Sequence, residues 1–294
     1  MTENQTSFTL VNPQNGNLAF KISSFDGNNS FDHIQRLNYF SLILIKEGAA
    51  KLKSDFSEYE VGKNFLLSFT PYQPFMLSHA KDLKGIIVNF HPDFFCILKH
   101  HKEVACHGVL FNNIYQPPFT LFTQEDTAKF ESIIEQMTAE MKNAELAQYE
   151  LLISYLKIIL ISASRVKVSQ SKEAQVAVAD LKEPFILQNL KDAIEEHYKV
   201  KHSANEYAEM LHITPKALAK VVKNYFNKTL TDLISERIVI EAKRELYLTS
   251  KTVKEISYSL GFNDEHYFSR FFKNNADVSP QLYRETVGFA RGEV

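Results

Sequence analysis

The sequence predicts two folded parts of different class. An all-β N-terminal domain carries a helical hairpin, and an all-α C-terminal domain holds two helix-turn-helix motifs. Three observations carry this. Residues 8–122 are short apolar runs cut by Gly, Pro, Asn and Asp, near Gln124 the apolar residues change to helical spacing, and the last hundred residues contain an internal repeat. At 294 residues the chain is also near the length at which one core stops growing. The boundaries read as residues 1–123 for the β domain, 124–166 for the hairpin, 167–180 for a linker and 181–288 for the helical domain.

In the β domain the runs "NYFSLILIKEG", "KLKSDFSEYEVG", "NFLLSFTPYQPFMLS" and "KGIIVNFHP" are rich in Phe, Ile, Leu and Val. Short strands at such spacing, separated by turn residues, predict an antiparallel sandwich or barrel.

The first hairpin helix is marked by Phe130, Ile134, Met137 and Met141. The second carries Leu146, Tyr149, Ile153, Leu156, Leu160 and Ala163 at alternating spacings of three and four. Its other side holds Leu151, Leu152, Tyr155, Ile158 and Ile159, and a helix apolar on both sides must bury both. One side covers the β domain. The seam Tyr149, Ile153, Leu156 and Leu160 is therefore expected to meet a second copy of the chain, making a homodimer. The alternative is that both sides are covered within one chain. The stretch "VKVSQSKEAQVAVAD" is small and polar and reads as the linker.

From Pro184 onward the pattern is helical. Residues 206–227, "EYAEMLHITPKALAKVVKNYFN", align with residues 255–277, "EISYSLGFNDEHYFSRFFKNNAD". Tyr207, Ala208, Leu211, Ile213 and Thr214 fall on Ile256, Ser257, Leu260, Phe262 and Asn263. After one inserted residue, Leu218, Lys220, Val222 and Lys223 fall on Phe268, Arg270, Phe272 and Lys273. Each copy reads as a short helix, a tight turn and a second helix. Thr252 and Glu255 form a capping box, Gly261 supplies a left-handed turn residue, and Asn263 caps the next helix. In the earlier copy His212 takes the place of Gly261, Thr214 is the cap and Pro215 the first helical residue.

The second helix of each copy has two faces. Leu218, Val221 and Val222, and likewise Phe268, Phe271 and Phe272, form core stripes. Opposite them lie Lys216, Lys220 and Lys223, and His266, Arg270 and Lys273. One Lys stripe is usually a solvated face, but two in the same register of a repeated motif point to a nucleic-acid surface. The candidate contacts to double-stranded DNA are Lys216, Ala219, Lys220, Lys223, His266, Tyr267, Ser269, Arg270 and Lys273. Arg270 is the candidate for bidentate contact with guanine, with His266 and Tyr267 beside it. The stretch "TLTDLISERIVIEAKRELYLTS" between the copies reads as one helix of about 27 Å, close to the ~34 Å between successive major-groove faces.

Residues 203–285 resemble the DNA-binding domain of the AraC/XylS (arabinose-regulator type) transcription factors. The matching residues are Arg237, Ala242, Leu246, Ile256, Gly261, Phe262, Tyr267, Phe268, Arg270, Phe272, Lys273, Ser279, Pro280, Tyr283 and Arg284. The chain departs from that pattern in places: Asp277, Asn227 and His212 stand where glycine is common, Asp and Asn tolerating left-handed backbone and His taking it less comfortably, and Ala217 and Ala219 make the first recognition helix plainer than usual. The resemblance implies a transcription regulator with an N-terminal cupin-like barrel for a small-molecule effector, a dimerisation hairpin, and RNA polymerase as a partner if it activates. Ser41–Gly48 and the Gly62–Pro74 hairpin sit where cupin motifs would.

Composition limits the alternatives. The net charge is −2, with 17 basic against 16 acidic residues in 181–294, so a basic surface must come from arrangement. The start "MTENQTSFTL" lacks the apolar core of a signal peptide, and "LLISYLKIILISA" is too short for a bilayer; no membrane partner is expected. Two cysteines suit a cytoplasmic location. A metal-dependent cupin enzyme would need His and Glu ligands, yet Phe75 and Ser41 occupy those places. Cys96, His100, Cys106 and His107 lack paired metal spacing, and no nucleophile–base set or phosphate loop is present, so neither a cofactor nor enzymatic activity is expected.

Overall fold

The computed structural model describes residues 7–288 apart from 13–15, 56, 99, 101–107, 144 and 179–184. The chain forms two compact units. The first comprises residues 1–113 and 118–170, and the second comprises residues 114–117 and 171–294.

Seven antiparallel strands make one sheet in the first unit: β1 (Ser7–Val11), β2 (Leu18–Asp26), β3 (Phe40–Ser54), β4 (Ser57–Gly62), β5 (Phe65–Phe69), β6 (Phe75–Phe90) and β7 (Phe119–Leu121). Their order is β1-β2-β6-β3-β5-β7, with β4 also paired to β3. The long strand β3 explains the architecture. Along its first half Leu42 and Leu44 enter one core while Ile43 and Ile45 enter another. Farther on, Ala50 and Leu52 belong to the core of Ile43 and Ile45, so the phase has flipped. The flip occurs where the β3–β6 register shifts between Ile45 and Lys51. A bulge re-aims the side chains after it, and Gly48 sits within this one at φ +85. A Cβ there would come within 2.4 Å of the Lys81 and Asp82 carbonyl oxygens, so only glycine fits without a shift of backbone.

Helices α1 (Gln124–Lys142) and α2 (Gln148–Val178) cover one face of the sheet. Thr123 and Asp126 form a capping box at the start of α1, and Phe130, Ile134 and Met137 are buried along it. Leu152, Leu156, Ile159, Leu160 and Ala163 of α2 join the same core. Two expectations change here. Leu156 and Leu160 are fully buried, and Tyr149 and Ile153 are half-buried against the same cluster. The proposed dimer seam therefore lies inside the chain. What α2 leaves open is the other side, where Leu151 is 40% and Ile158 47% exposed. The expected linker is also largely helical, since α2 continues to Val178. Residues 167–178 contain Ala, Gln, Lys and Glu but neither Gly nor Pro, so nothing stops the helix there.

In the second unit lie α3 (Phe185–His197), α4 (Ala204–Met210), α5 (Pro215–Phe226), α6 (Leu230–Leu248), α7 (Val253–Ser259), α8 (Glu265–Ala276) and α9 (Pro280–Val287). The helix α6 is the spine, with Leu230, Leu233, Ile234, Ile238, Val239, Ala242, Leu246 and Tyr247 buried. Its 19 residues extend about 28 Å.

Candidate nucleic-acid interface

The repeat folds as two equivalent halves. Helices α4 and α7 have 7 residues each, and α5 and α8 have 12. Ser203 with Glu206 and Thr252 with Glu255 form capping boxes at the starts of α4 and α7. The turns that follow contain His212 at φ 52 and Gly261 at φ 81. In each turn the next N–H donates back into the short helix: Ile213 to the Ala208 carbonyl and Phe262 to the Ser257 carbonyl, both at 3.0 Å. The inserted residue lengthens the second turn, not the helix. Its consequence corrects one expectation: the N-cap of α8 is Asp264, whose carboxylate accepts from the Tyr267 N–H, and not Asn263. Asp264 is thus the counterpart of Thr214, which caps α5 ahead of Pro215. Both long helices end on left-handed residues, Asn227 at φ 56 and Asp277 at φ 61.

Burial sorts the faces of α5 and α8. Leu218 and Val222 are fully buried, as are Phe268 and Phe272, while Val221 and Phe271 are half-buried. The Phe262 ring lies 5.1 Å from both Phe268, edge-on, and Phe271, tilted, in contacts aromatic rings favour. This aromatic packing fixes the roll of α8 about its axis. The roll in turn leaves His266, Tyr267, Arg270 and Lys273 exposed, with Ser269 half-buried beside them. On α5 the corresponding exposed residues are Lys216, Ala219, Lys220 and Lys223.

Several cations of this unit are held by carboxylates. Arg237 is paired with Glu195 at 2.8 Å, Arg244 with Glu241 at 3.0 Å, Lys251 with Glu245 at 2.7 Å, and Lys228 with Glu236 at 2.8 Å. Among the described residues, Lys216, Lys220, Arg270 and Lys273 form no such ion pair. Lys223 reaches only the Asn227 carbonyl at its own helix end, at 3.2 Å. A cation outside any ion pair stays available for a polyanion.

Two residues of the sequence motif prove to be internal fasteners. The Arg284 guanidinium donates to the Leu246 carbonyl at 3.0 Å and to the Lys251 carbonyl at 2.7 Å, tying α9 to the end of α6. Arg237 lies over the Tyr198 ring, 3.8 Å from its centre, while holding Glu195. Motif spacing did not separate these two from the outward arginine, Arg270.

The other candidate residues are less connected. Cys96 is buried, and the His100 ring stacks on Phe95 at 4.9 Å. Cys106 and His107 lie outside the described residues. Among the described residues no group of three or more His, Cys, Asp or Glu could hold a metal. No described helix is long and apolar enough to cross a membrane.

Residues 207–286 match the family model of a helix-turn-helix domain. An uncharacterized HTH-type transcriptional regulator in the cgkA 5′ region of Pseudoalteromonas carrageenovora is 29% identical over 118 residues, 40% of this chain and 69% of that protein. The raffinose operon transcriptional regulatory protein RafR of Pediococcus pentosaceus is 23% identical over 48% of this chain and 46% of its own. The HTH-type transcriptional activator RhaS of Mannheimia succiniciproducens is 28% identical over 31% of this chain and 34% of its own. The chain thus spans from 34% to 69% of these relatives' lengths. The matched segment is a helix-turn-helix domain, the kind carried by transcription regulators.

Proposed function

We propose that this chain is a sequence-specific regulator of transcription that grips duplex DNA with two helix-turn-helix units, α4–α5 and α7–α8. The observation that carries the reading is the pair of outward stripes on α5 and α8. They occupy the same register of a repeat, and among the described residues Lys216, Lys220, Arg270 and Lys273 form no ion pair, whereas Lys228, Arg237, Arg244 and Lys251 are paired with carboxylates. The spine helix of about 28 Å suits two units lying in successive major-groove segments about one turn apart. Arg270 is the residue for bidentate guanine contact, with His266 and Tyr267 on neighbouring base edges. Lys216, Lys220, Lys223 and Lys273 take phosphates, and Ala219 offers an apolar contact to a thymine methyl. Ser269, half-buried, is an accessory hydroxyl at the rim.

The N-terminal sheet is then the regulatory part. We read it as a cupin-like barrel built over the second core, and a small molecule or protein partner acting there would control DNA binding. The open side of α2, with Leu151 and Ile158, is the surface we assign to a homodimer. RNA polymerase is a further partner if the protein activates. Among the described residues no group of three or more His, Cys, Asp or Glu offers an enzymatic reading a metal site.

The test begins with selection of bound duplexes from a random pool, followed by titration at several salt concentrations. Arg270→Ala should cost about 1–3 kcal/mol on the selected sequence and relax preference at one base pair. Lys220→Ala should weaken binding on all sequences and reduce the salt slope by about one unit. Failure to enrich any sequence, with a salt slope near zero, would refute the reading.

A further inference from the structure

The two halves of the repeat differ sharply just past their long helices. Fifty residues on from Phe226 and Lys228 stand Ala276 and Val278, both buried. The second copy thus closes its end with two small apolar side chains. The first uses a large ring and a buried lysine, which needs polar company where it lies.

Part of that company is Glu236 of α6, and part comes from four residues remote in sequence. Ile114–Pro117 belongs to the second compact unit, although Asn113 and Pro118 on either side belong to the first. The Ile114 carbonyl accepts from Lys228 Nζ at 3.5 Å, and the same ammonium is 2.8 Å from Glu236. The Tyr115 hydroxyl donates to Glu195 at 3.0 Å, and the other oxygen of that carboxylate accepts from Arg237 Nε at 2.8 Å. The Tyr115 ring lies 5.9 Å from the Phe226 ring. Lys191 Nζ is within 6 Å of the Tyr115, Tyr225 and Phe226 rings, at 5.9, 5.7 and 5.8 Å. Burial and then the adjoining Glu195 carboxylate hold the Tyr115 phenol far toward its protonated, donating form. The strap therefore touches α3 through Glu195 and Lys191, α5 through Phe226, and the segment leading into α6 through Lys228.

We propose that Ile114–Pro117 is a latch that clamps the C-terminal end of α5, so that the first half of the repeat, and not the second, is held by a segment of the N-terminal chain. The strap is covalently continuous with that chain at both ends, so a change in strand β7 or in the segment before Ile114 pulls on it directly. Its consequence for DNA binding rests on the reading of α5 as a DNA-contacting helix; the mechanical claim does not.

The experiment uses the full chain and two variants, Tyr115→Ala and Tyr115→Phe, followed by hydrogen exchange. Peptides covering residues 223–230 report the clamped end, and peptides covering 273–280 are the internal reference. Tyr115→Ala should speed exchange at 223–230 by about tenfold or more and leave 273–280 unchanged. Tyr115→Phe, which removes only the hydroxyl bond, should give a smaller acceleration in the same place. If Tyr115→Ala loosens both regions equally, Tyr115→Phe decides: selective acceleration at 223–230 upholds the latch, and its absence overturns it. Unchanged exchange at 223–230 in Tyr115→Ala overturns it outright. Selective acceleration in a protein that enriches no DNA sequence would leave the latch standing and remove the DNA reading, so the two claims fail separately.

Discussion

Gly261 and His212 hold equivalent places in the two turns, both with left-handed backbone, at φ 81 and 52. If backbone conformation were the whole constraint, Gly261 should accept a residue that tolerates that region. The surroundings say otherwise. A Cβ on Gly261 would lie 2.1 Å from the Lys199 carbonyl oxygen and 3.3 Å from His202 Nε2, so the segment after α3 is pressed against this turn. Gly261→Ala pays about 1–2 kcal/mol for left-handed backbone. It must also push the Lys199 backbone away by about an ångström to restore ordinary contact. That segment is anchored: the Lys201 carbonyl accepts from the Tyr207 hydroxyl at 3.1 Å, and the His202 N–H donates to Glu206 at 3.2 Å. Loosening those two bonds costs roughly 1 kcal/mol each, so the total is about 3–4 kcal/mol. Gly261→Asn is the discriminating variant. Asn tolerates the backbone but still carries the Cβ, so it should cost within about 1 kcal/mol of Ala. His212→Gly, by contrast, should be stabilising or neutral, within about 1 kcal/mol, as relief of strain competes with greater freedom of the unfolded chain. Urea denaturation of the full chain, followed at a probe in the second unit, measures all three. A near-neutral Gly261→Asn would refute the claim that the Lys199 carbonyl, and not φ, selects glycine.

Three further outcomes are expected. Arg284→Ala should destabilise the second unit by about 2–4 kcal/mol, because charge-assisted bonds to the carbonyls at the end of α6 are lost; an unchanged denaturation midpoint would contradict its role as a fastener. Burial lowers Lys167 from its ordinary 10.5 to about 8. Between those values the unfolded chain holds a proton that the folded chain has released, so stability should rise with pH from about 8 to about 10.5. Lys167→Met should be up to ~3 kcal/mol more stable at pH 7 and lose that rise; equal pH profiles would rule this out. Leu151→Asp with Ile158→Asp should yield a folded monomer, since both side chains already reach water. A wild type that sediments as a monomer, or a double variant that stays dimeric, would exclude this face as the interface.

Much of the second unit was legible because its signals are local. The capping pair Thr252 and Glu255, the Thr214–Pro215 start and the left-handed positions His212, Asn227 and Asp277 each depend on residues within one turn, and all take the expected conformation. The misplaced cap, Asn263 for Asp264, came from assigning the inserted residue to the helix and not to the turn. The phase flip in β3 was hidden for the opposite reason: it arises from a register shift against β6, and no alternation within β3 alone reveals it.

The seam on α2 shows what periodicity can and cannot give. Spacing by three and four established that Tyr149, Ile153, Leu156 and Leu160 share a stripe and must be covered. It carried no information on whether the cover is the chain's own sheet or a second copy. Leu156 and Leu160 at 0% exposure show that the sheet and α1 take that stripe. A charge at Leu160 would therefore damage the fold itself, which is why the dimer test belongs at Leu151 and Ile158. The same logic separates the arginines of the helical domain. Arg237, Arg270 and Arg284 all fit one motif, but two of them satisfy their donors on the protein's own carboxylate or carbonyls. Arg270 stands exposed on the outward stripe of α8 with no ion pair among the described residues. Its fork of donors is free for a partner outside the chain, and it is the arginine whose removal should change which DNA sequence is chosen more than how well the domain folds.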